Sequence, residues 1–74
     1  MLLSVIIPAY NEEKMIRKAA TVISDLLENE SILYELIFID DGSDDATWEE
    51  IGKVSADMKN VRAFSFSRNF GKEA

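Results

Sequence analysis

Three short runs rich in aliphatic and β-branched residues, at 2–7, 35–39 and 61–66, are separated by two segments whose apolar residues recur every three or four positions. This alternation constrains the fold more than any other feature of the chain. Strands joined by helical connections make right-handed crossovers and a parallel sheet. The first run, Leu2-Leu3-Ser4-Val5-Ile6-Ile7, is almost continuously apolar, as in a parallel strand buried on both faces. Pro8 has no N–H for the ladder and is expected to end that strand. Asn11 is a good helix N-cap, and Glu12 and Glu13 would follow in a first turn where the helix dipole favours negative charge. Met15, Ile16, Ala19, Ala20, Val22, Ile23, Leu26 and Leu27 mark one helical face and predict a helix over residues 12–28. The second strand is Glu35-Leu36-Ile37-Phe38-Ile39. A second helix starts near Ala46 with the stripe Trp48, Ile51, Val54, Ser55 and Met58, and closes at Asn60; its Trp48 is expected in the core. The third strand, residues 61–66, alternates more and should lie nearer a sheet edge. Residues 67–74 read as a polar turn opening a third helix.

With 74 residues the chain makes one small domain at most, and a chain this short buries only about 60% of the surface that its unfolded form exposes. Eight Lys and Arg stand against 14 Asp and Glu, a net charge of −6, which argues against a nucleic-acid partner. The absence of Cys removes disulfides, thiolate metal sites and a Cys nucleophile, and the absence of His removes the commonest metal ligand and general base. Any chemistry must run on carboxylates, hydroxyls, amides, Lys and Arg. The apolar start is too short for a signal peptide or a membrane span, so the chain is expected to be cytoplasmic.

Each strand ends in a polar cluster. In an open parallel α/β sheet, ligands bind beyond the carboxyl ends of the strands, so the three clusters should meet on one rim. Each cluster also has a plainer reading. Asp40-Asp41-Gly42-Ser43-Asp44-Asp45 could be a tight turn and a helix cap. A turn needs only one carboxylate, however, and the adjacent pair Asp40-Asp41 is better explained by a partner with N–H donors or a metal. Asn11 could be only a cap, and Glu12 could only complement the helix dipole. Tyr10 could pack on the sheet or stack on a base. Arg68 and Lys72 could be solvated surface charges, but in so acidic a chain two cations beside a helix start point to a bound anion.

Three of these segments carry a resemblance. Ser4-Val5-Ile6-Ile7-Pro8-Ala9-Tyr10-Asn11-Glu12-Glu13 resembles the opening of a family 2 glycosyltransferase. Ile39-Asp40-Asp41-Gly42-Ser43-Asp44-Asp45-Ala46-Thr47 resembles that family's second element at the expected distance. Ser67-Arg68-Asn69-Phe70-Gly71-Lys72-Glu73-Ala74 resembles a third, which is similar to the branch that includes dolichol-phosphate mannosyltransferases and undecaprenyl-phosphate glucosyltransferases. The resemblance implies the GT-A fold, here as the first half of a doubly wound, Rossmann-like parallel sheet. It also implies a nucleotide-diphosphate-sugar donor (a UDP- or GDP-sugar) and a polyprenyl phosphate acceptor. By the same resemblance, Asp41 matches the acid that accepts from the base's ring N–H. Pro8, Ala9 and Tyr10 match the loop along the nucleoside. Glu12 matches an acceptor for the ribose hydroxyls, and Arg68 and Lys72 match basic residues near the phosphates.

The family holds a divalent ion, Mg or Mn, on an Asp-x-Asp motif at a later strand, and neither Asp40-Asp41 nor Asp44-Asp45 has that spacing. No catalytic residue or metal ligand is therefore assigned in residues 1–74. The chain is expected to be the N-terminal part of one nucleotide-sugar-binding domain, truncated at 74, inactive alone and prone to self-association. If complete, the enzyme would act in the cytoplasm or at the cytoplasmic face of a membrane. A receiver-like signalling domain is the alternative, disfavoured because its acidic residues follow the first strand; a non-catalytic interaction domain is another.

Overall fold

The computed structural model describes residues 1–65. Within them lie β1 (Leu3–Ala9), α1 (Ile16–Asn29), β2 (Tyr34–Asp40), α2 (Thr47–Asp57) and β3 (Val61–Ser65). The strands form one parallel sheet in the order β1-β2-β3, as the alternation predicts. Ala9 is level with Asp40, and Asp40 with Ser65, so the three strands finish at one rim. Residues 66–74, with the candidate residues Arg68 and Lys72, lie outside the described residues.

Both helices pack on one face of the sheet. Alternate residues of β2 (Tyr34, Leu36, Phe38 and Asp40) are buried, because side chains along a strand point to opposite faces. The apolar members meet Ile16 and Ala20 of α1, Ile51 and Val54 of α2, and Ala9 and Val61 in one core. The other face carries Ser4, Ile6 and Pro8 of β1, Glu35, Ile37 and Ile39 of β2, and Arg62 and Phe64 of β3. There Glu35 accepts from Ser4 Oγ at 2.6 Å and from Arg62 Nε at 3.0 Å, a polar bridge across all three strands. Ile6 is 58% and Phe64 54% exposed. The apolar run of β1 is thus not buried on both faces among the described residues, because both helices lie on the same side.

Four local expectations are corrected. Pro8 does not end β1 but sits inside it, paired with Ile39. The backbones of Leu3 and Ala9 bond across to the β2 side, with Leu3 N–H donating to Leu33 O and Ala9 O accepting from Asp41 N–H. Backbone groups alternate in direction along a strand, so Pro8 falls on the open edge, where its missing N–H interrupts nothing. Asn11 does not cap α1, which begins at Ile16 after a turn in which Met15 N–H donates to Glu12 O at 2.9 Å. Asn11 instead has a left-handed backbone, φ 52°, and turns its side chain to another loop. The second helix stops at Asp57, three residues early, where Met58 becomes extended. Trp48 is 41% exposed and lies outside the core. The buried face of α2 is Thr47, Ile51 and Val54, and Trp48, one residue on from Thr47, is rotated about 100° away from it.

No helix among the described residues is long and apolar enough to cross a membrane.

Candidate functional site

The parallel register delivers two loops to the same end of the sheet. The β1–α1 loop leaves from Ala9, and the β2–α2 loop leaves from Asp40, its neighbour on the next strand. Asp41 N–H donates to Ala9 O at 3.0 Å, which carries the pairing with β1 one residue past the end of β2. Just beyond it a cleft of about 200 Å³ is lined by Pro8, Ala9, Tyr10, Glu12 and Asp41. All five candidate site residues within the described part of the chain therefore meet in one place, although up to 33 positions separate them. Tyr10 is 48% exposed and stands outside the core. Glu12 Oε1 accepts from Tyr10 N–H at a long 3.4 Å.

The two adjacent aspartates do different work. Asp40 is 3% exposed, and its Oδ1 accepts from both the N–H and the hydroxyl of Ser43. Gly42, at φ 73°, turns the chain back so that Ser43 can reach it, a backbone conformation glycine adopts without a Cβ clash. The donors that the carboxylate pair seemed to require come, for Asp40, from its own turn. Asp41 is the member of the pair that borders the cleft.

Hydrogen bonds join the two loops. Asn11 N–H donates to Ser43 Oγ at 2.9 Å, and Asp44 N–H donates to Asn11 Oδ1 at 2.8 Å. Glu12 N–H donates to the buried Thr47 Oγ1 at 2.8 Å. Glu13 N–H donates to Asp45 Oδ2 at 3.4 Å, and Ala46 N–H donates to Glu13 Oε1 at 3.0 Å. Asp45 Oδ1 also accepts from the N–H and hydroxyl of Thr47. The Thr47 hydroxyl is the largest cause holding the Asp45 carboxyl below the usual carboxylate range. Burial opposes that, and the N–H groups of Thr47 and Glu13 add to it. The sequence marks these residues as turn formers and caps, but not that they cap each other's loops. Their density of Asn, Asp, Ser and Thr was the available signal.

Larger clefts do not share this residue set. One of about 400 Å³ shares only Glu12 with it and is otherwise lined by Asn11, Glu13, Lys14, Met15 and Asp45. Another of about 380 Å³, bordered by Ser24, Tyr34 and Asn60, lies at the opposite end of the sheet, where ligands of open α/β folds do not bind. Residue chemistry and strand polarity, not size, select the smaller cleft. No three carboxylates among the described residues converge closely enough to hold a metal ion.

A family profile described as "Glycosyl transferase family 2" matches residues 4–74. The chain belongs to glycosyl transferase family 2. Its similarity to curated members runs through nearly its whole length. It is 42% identical over 73 residues to the putative glycosyltransferase CsbB of Bacillus subtilis (strain 168), covering 99% of this chain and 22% of that protein. It is 38% identical over 73 residues to the prophage bactoprenol glucosyl transferase homolog of Escherichia coli (strain K12), covering 99% of this chain and 24% of that one. The bactoprenol glucosyl transferase of Shigella phage SfV is 37% identical over 73 residues, again 99% of this chain and 24% of the relative. The family 2 chain thus spans less than a quarter of the length of these relatives. Family membership sets aside the receiver-like reading, whose acidic residues would follow β1 rather than β2.

Proposed function

We propose that this segment is the nucleotide-binding part of a glycosyltransferase that moves a sugar from a nucleotide-diphosphate-sugar to a polyprenyl phosphate. The observation that carries the reading is the convergence of Pro8, Ala9, Tyr10, Glu12 and Asp41 on one cleft at the carboxyl ends of β1 and β2. In this reading Asp41 accepts from the ring N–H of uracil or guanine, Glu12 accepts from the ribose hydroxyls, and Tyr10 lies along the nucleoside. Carboxylates suit both tasks because they only accept, while an imide and a diol donate. A cleft of about 200 Å³ is smaller than the roughly 300–1,000 Å³ of most small-molecule sites, so it matches the nucleoside end of such a donor rather than the whole of it. Arg68 and Lys72 are proposed for the phosphates.

Transfer breaks the bond between the sugar C1 and the diphosphate oxygen and forms one between C1 and an oxygen of the acceptor phosphate. The nucleoside diphosphate leaves with the electron pair. The described residues hold the leaving group's nucleoside; they supply no group to the reacting carbon. The Mg or Mn ion proposed for the whole enzyme finds no ligand set among them. The polyprenyl acceptor rests on the relatives named as bactoprenol glucosyl transferases, and it would place the complete enzyme at the cytoplasmic face of a membrane. Calorimetric titration of the chain with UDP and GDP tests the reading. Binding of one of them is expected, with no sugar transfer by the chain alone. Failure to bind either would favour a non-catalytic interaction domain.

A further inference from the structure

The two carboxylates proposed for the nucleoside sit on different loops, so their spacing depends on what ties the loops together. We propose that Asn11 is the positioning residue of the donor site: it locks the β1–α1 loop to the β2–α2 loop and thereby sets Glu12 against Asp41. The inference rests on the nucleotide reading above and adds to it a residue that lies outside the proposed nucleoside cleft.

Asn11 does three things at once. Its left-handed backbone, φ 52°, redirects the chain between Tyr10 and Glu12, which border the cleft on either side of it. Asn is among the few non-glycine residues that tolerate this conformation. Its N–H donates to Ser43 Oγ at 2.9 Å, and its Oδ1 accepts from Asp44 N–H at 2.8 Å, so both ends of the residue grip the second loop. The grip leads back to rigid structure. Ser43 is held by Asp40, which is buried at the end of the central strand. Asp41 is the next residue in the chain, with its own N–H on Ala9 O. Glu12, following Asn11, is held by Thr47 of α2 through its N–H at 2.8 Å. Asn11 is therefore a point at which the first loop is fixed to the second and, through Ser43 and Asp40, to the sheet. A site made of groups on separate loops binds well only if their geometry exists before the ligand arrives.

Three variants separate the parts of this role in the 74-residue chain. Asn11→Gly keeps the backbone freedom and deletes the acceptor. Asn11→Asp keeps both. Ser43→Ala removes the other arm and serves if Asn11→Gly does not fold. The expected result is that Asn11→Gly and Ser43→Ala bind UDP or GDP, whichever the parent binds, about tenfold more weakly, and that Asn11→Asp restores binding to within about threefold. In an Asp41→Asn background the Asn11→Gly loss should shrink to less than about twofold, because a residue acting through Asp41 has little left to position. Amide hydrogen exchange should quicken at Asp44 and also at Glu12, whose N–H bonds to Thr47 and not to Asn11. Unchanged affinity in a folded Asn11→Gly chain would overturn the proposal, and so would an undiminished loss in the Asp41→Asn background. If the parent binds neither nucleotide, the nucleotide reading fails separately and exchange decides the loop coupling. Faster exchange at both amides upholds it, and faster exchange at Asp44 alone removes it.

Discussion

Asp40 and Asp41 are chemically identical neighbours with different surroundings. One is buried and supplied with two donors by Ser43; the other borders the proposed nucleoside cleft. Replacing Asp41 by Asn should therefore weaken nucleotide binding about tenfold to a hundredfold, the usual cost of losing a charged hydrogen bond. Asp44→Asn is the matched control. Asp44 is exposed and its N–H, not its carboxylate, makes the bond to Asn11, so its change should be within about twofold. Calorimetry on the two variants checks this, and equal affinities would take Asp41 out of the site. Asp45 belongs to neither class, since it accepts from Thr47 and from Glu13 N–H. Its carboxyl is held below the usual range, so the ionised form is favoured by folding. The stability it contributes is present above the unfolded pKa and is lost as pH falls through the folded one. Denaturant midpoints measured at about pH 5 and about pH 3 should differ less for Asp45→Asn than for the parent.

The helices show how two buried hydroxyls can act in opposite directions. Ser24 of α1 is 3% exposed, and its Oγ is the one buried side-chain polar atom without a hydrogen-bond partner among the described residues. Thr47 of α2 is fully buried, but its hydroxyl accepts from Glu12 N–H and donates to Asp45. Ser24→Ala removes an unsatisfied group and introduces a better helix former, so it should stabilise the chain by about 1 kcal/mol, raising Tm by about 4–8 °C. Thr47→Val keeps the shape and strands Glu12 N–H, so it should cost about 1–3 kcal/mol. Thermal melts of the pair decide it: a destabilised Ser24→Ala would mean that the hydroxyl has a partner in solution.

At the scale of the whole molecule, the main feature is a sheet that, among the described residues, is clothed on one side. Ile6 and Phe64 stand on the open face, flanked by Ile37 and Ile39, with the Ser4–Glu35–Arg62 bridge at its other end. Apolar surface of this kind favours association, and β1 and β3 each leave an edge open among the described residues. The chain is expected to sediment as more than a monomer at moderate concentration. Ile6→Ser and Phe64→Ser should shift it toward monomer with little loss of Tm, because neither side chain belongs to the core. A parent chain that stays monomeric in sedimentation velocity with a sharp melt would contradict this.

Hydropathy period alone was enough for the α/β class, the order of five elements and the parallel sheet, because burying one face of each segment leaves few arrangements. The cleft residues were legible too. A parallel sheet must bring its strand ends to one rim, and the resemblance singled out residues that border a cleft there. Other matters depended on neighbours distant in sequence. Pro8 stays in β1 because β1 is an edge among the described residues, and edge position belongs to the sheet, not to the strand. Trp48 is outside because Thr47 takes the inward place, its hydroxyl being engaged by a loop 35 positions away. Asn11 looked like the cap of its own helix, the nearest set of unpaired N–H groups. Folding brought a second such set, at Asp44 to Ala46, within reach of Asn11 and Glu13, and the two loops satisfied one another. Local sequence determines which groups need hydrogen-bond partners; only the packed chain decides which partners they find.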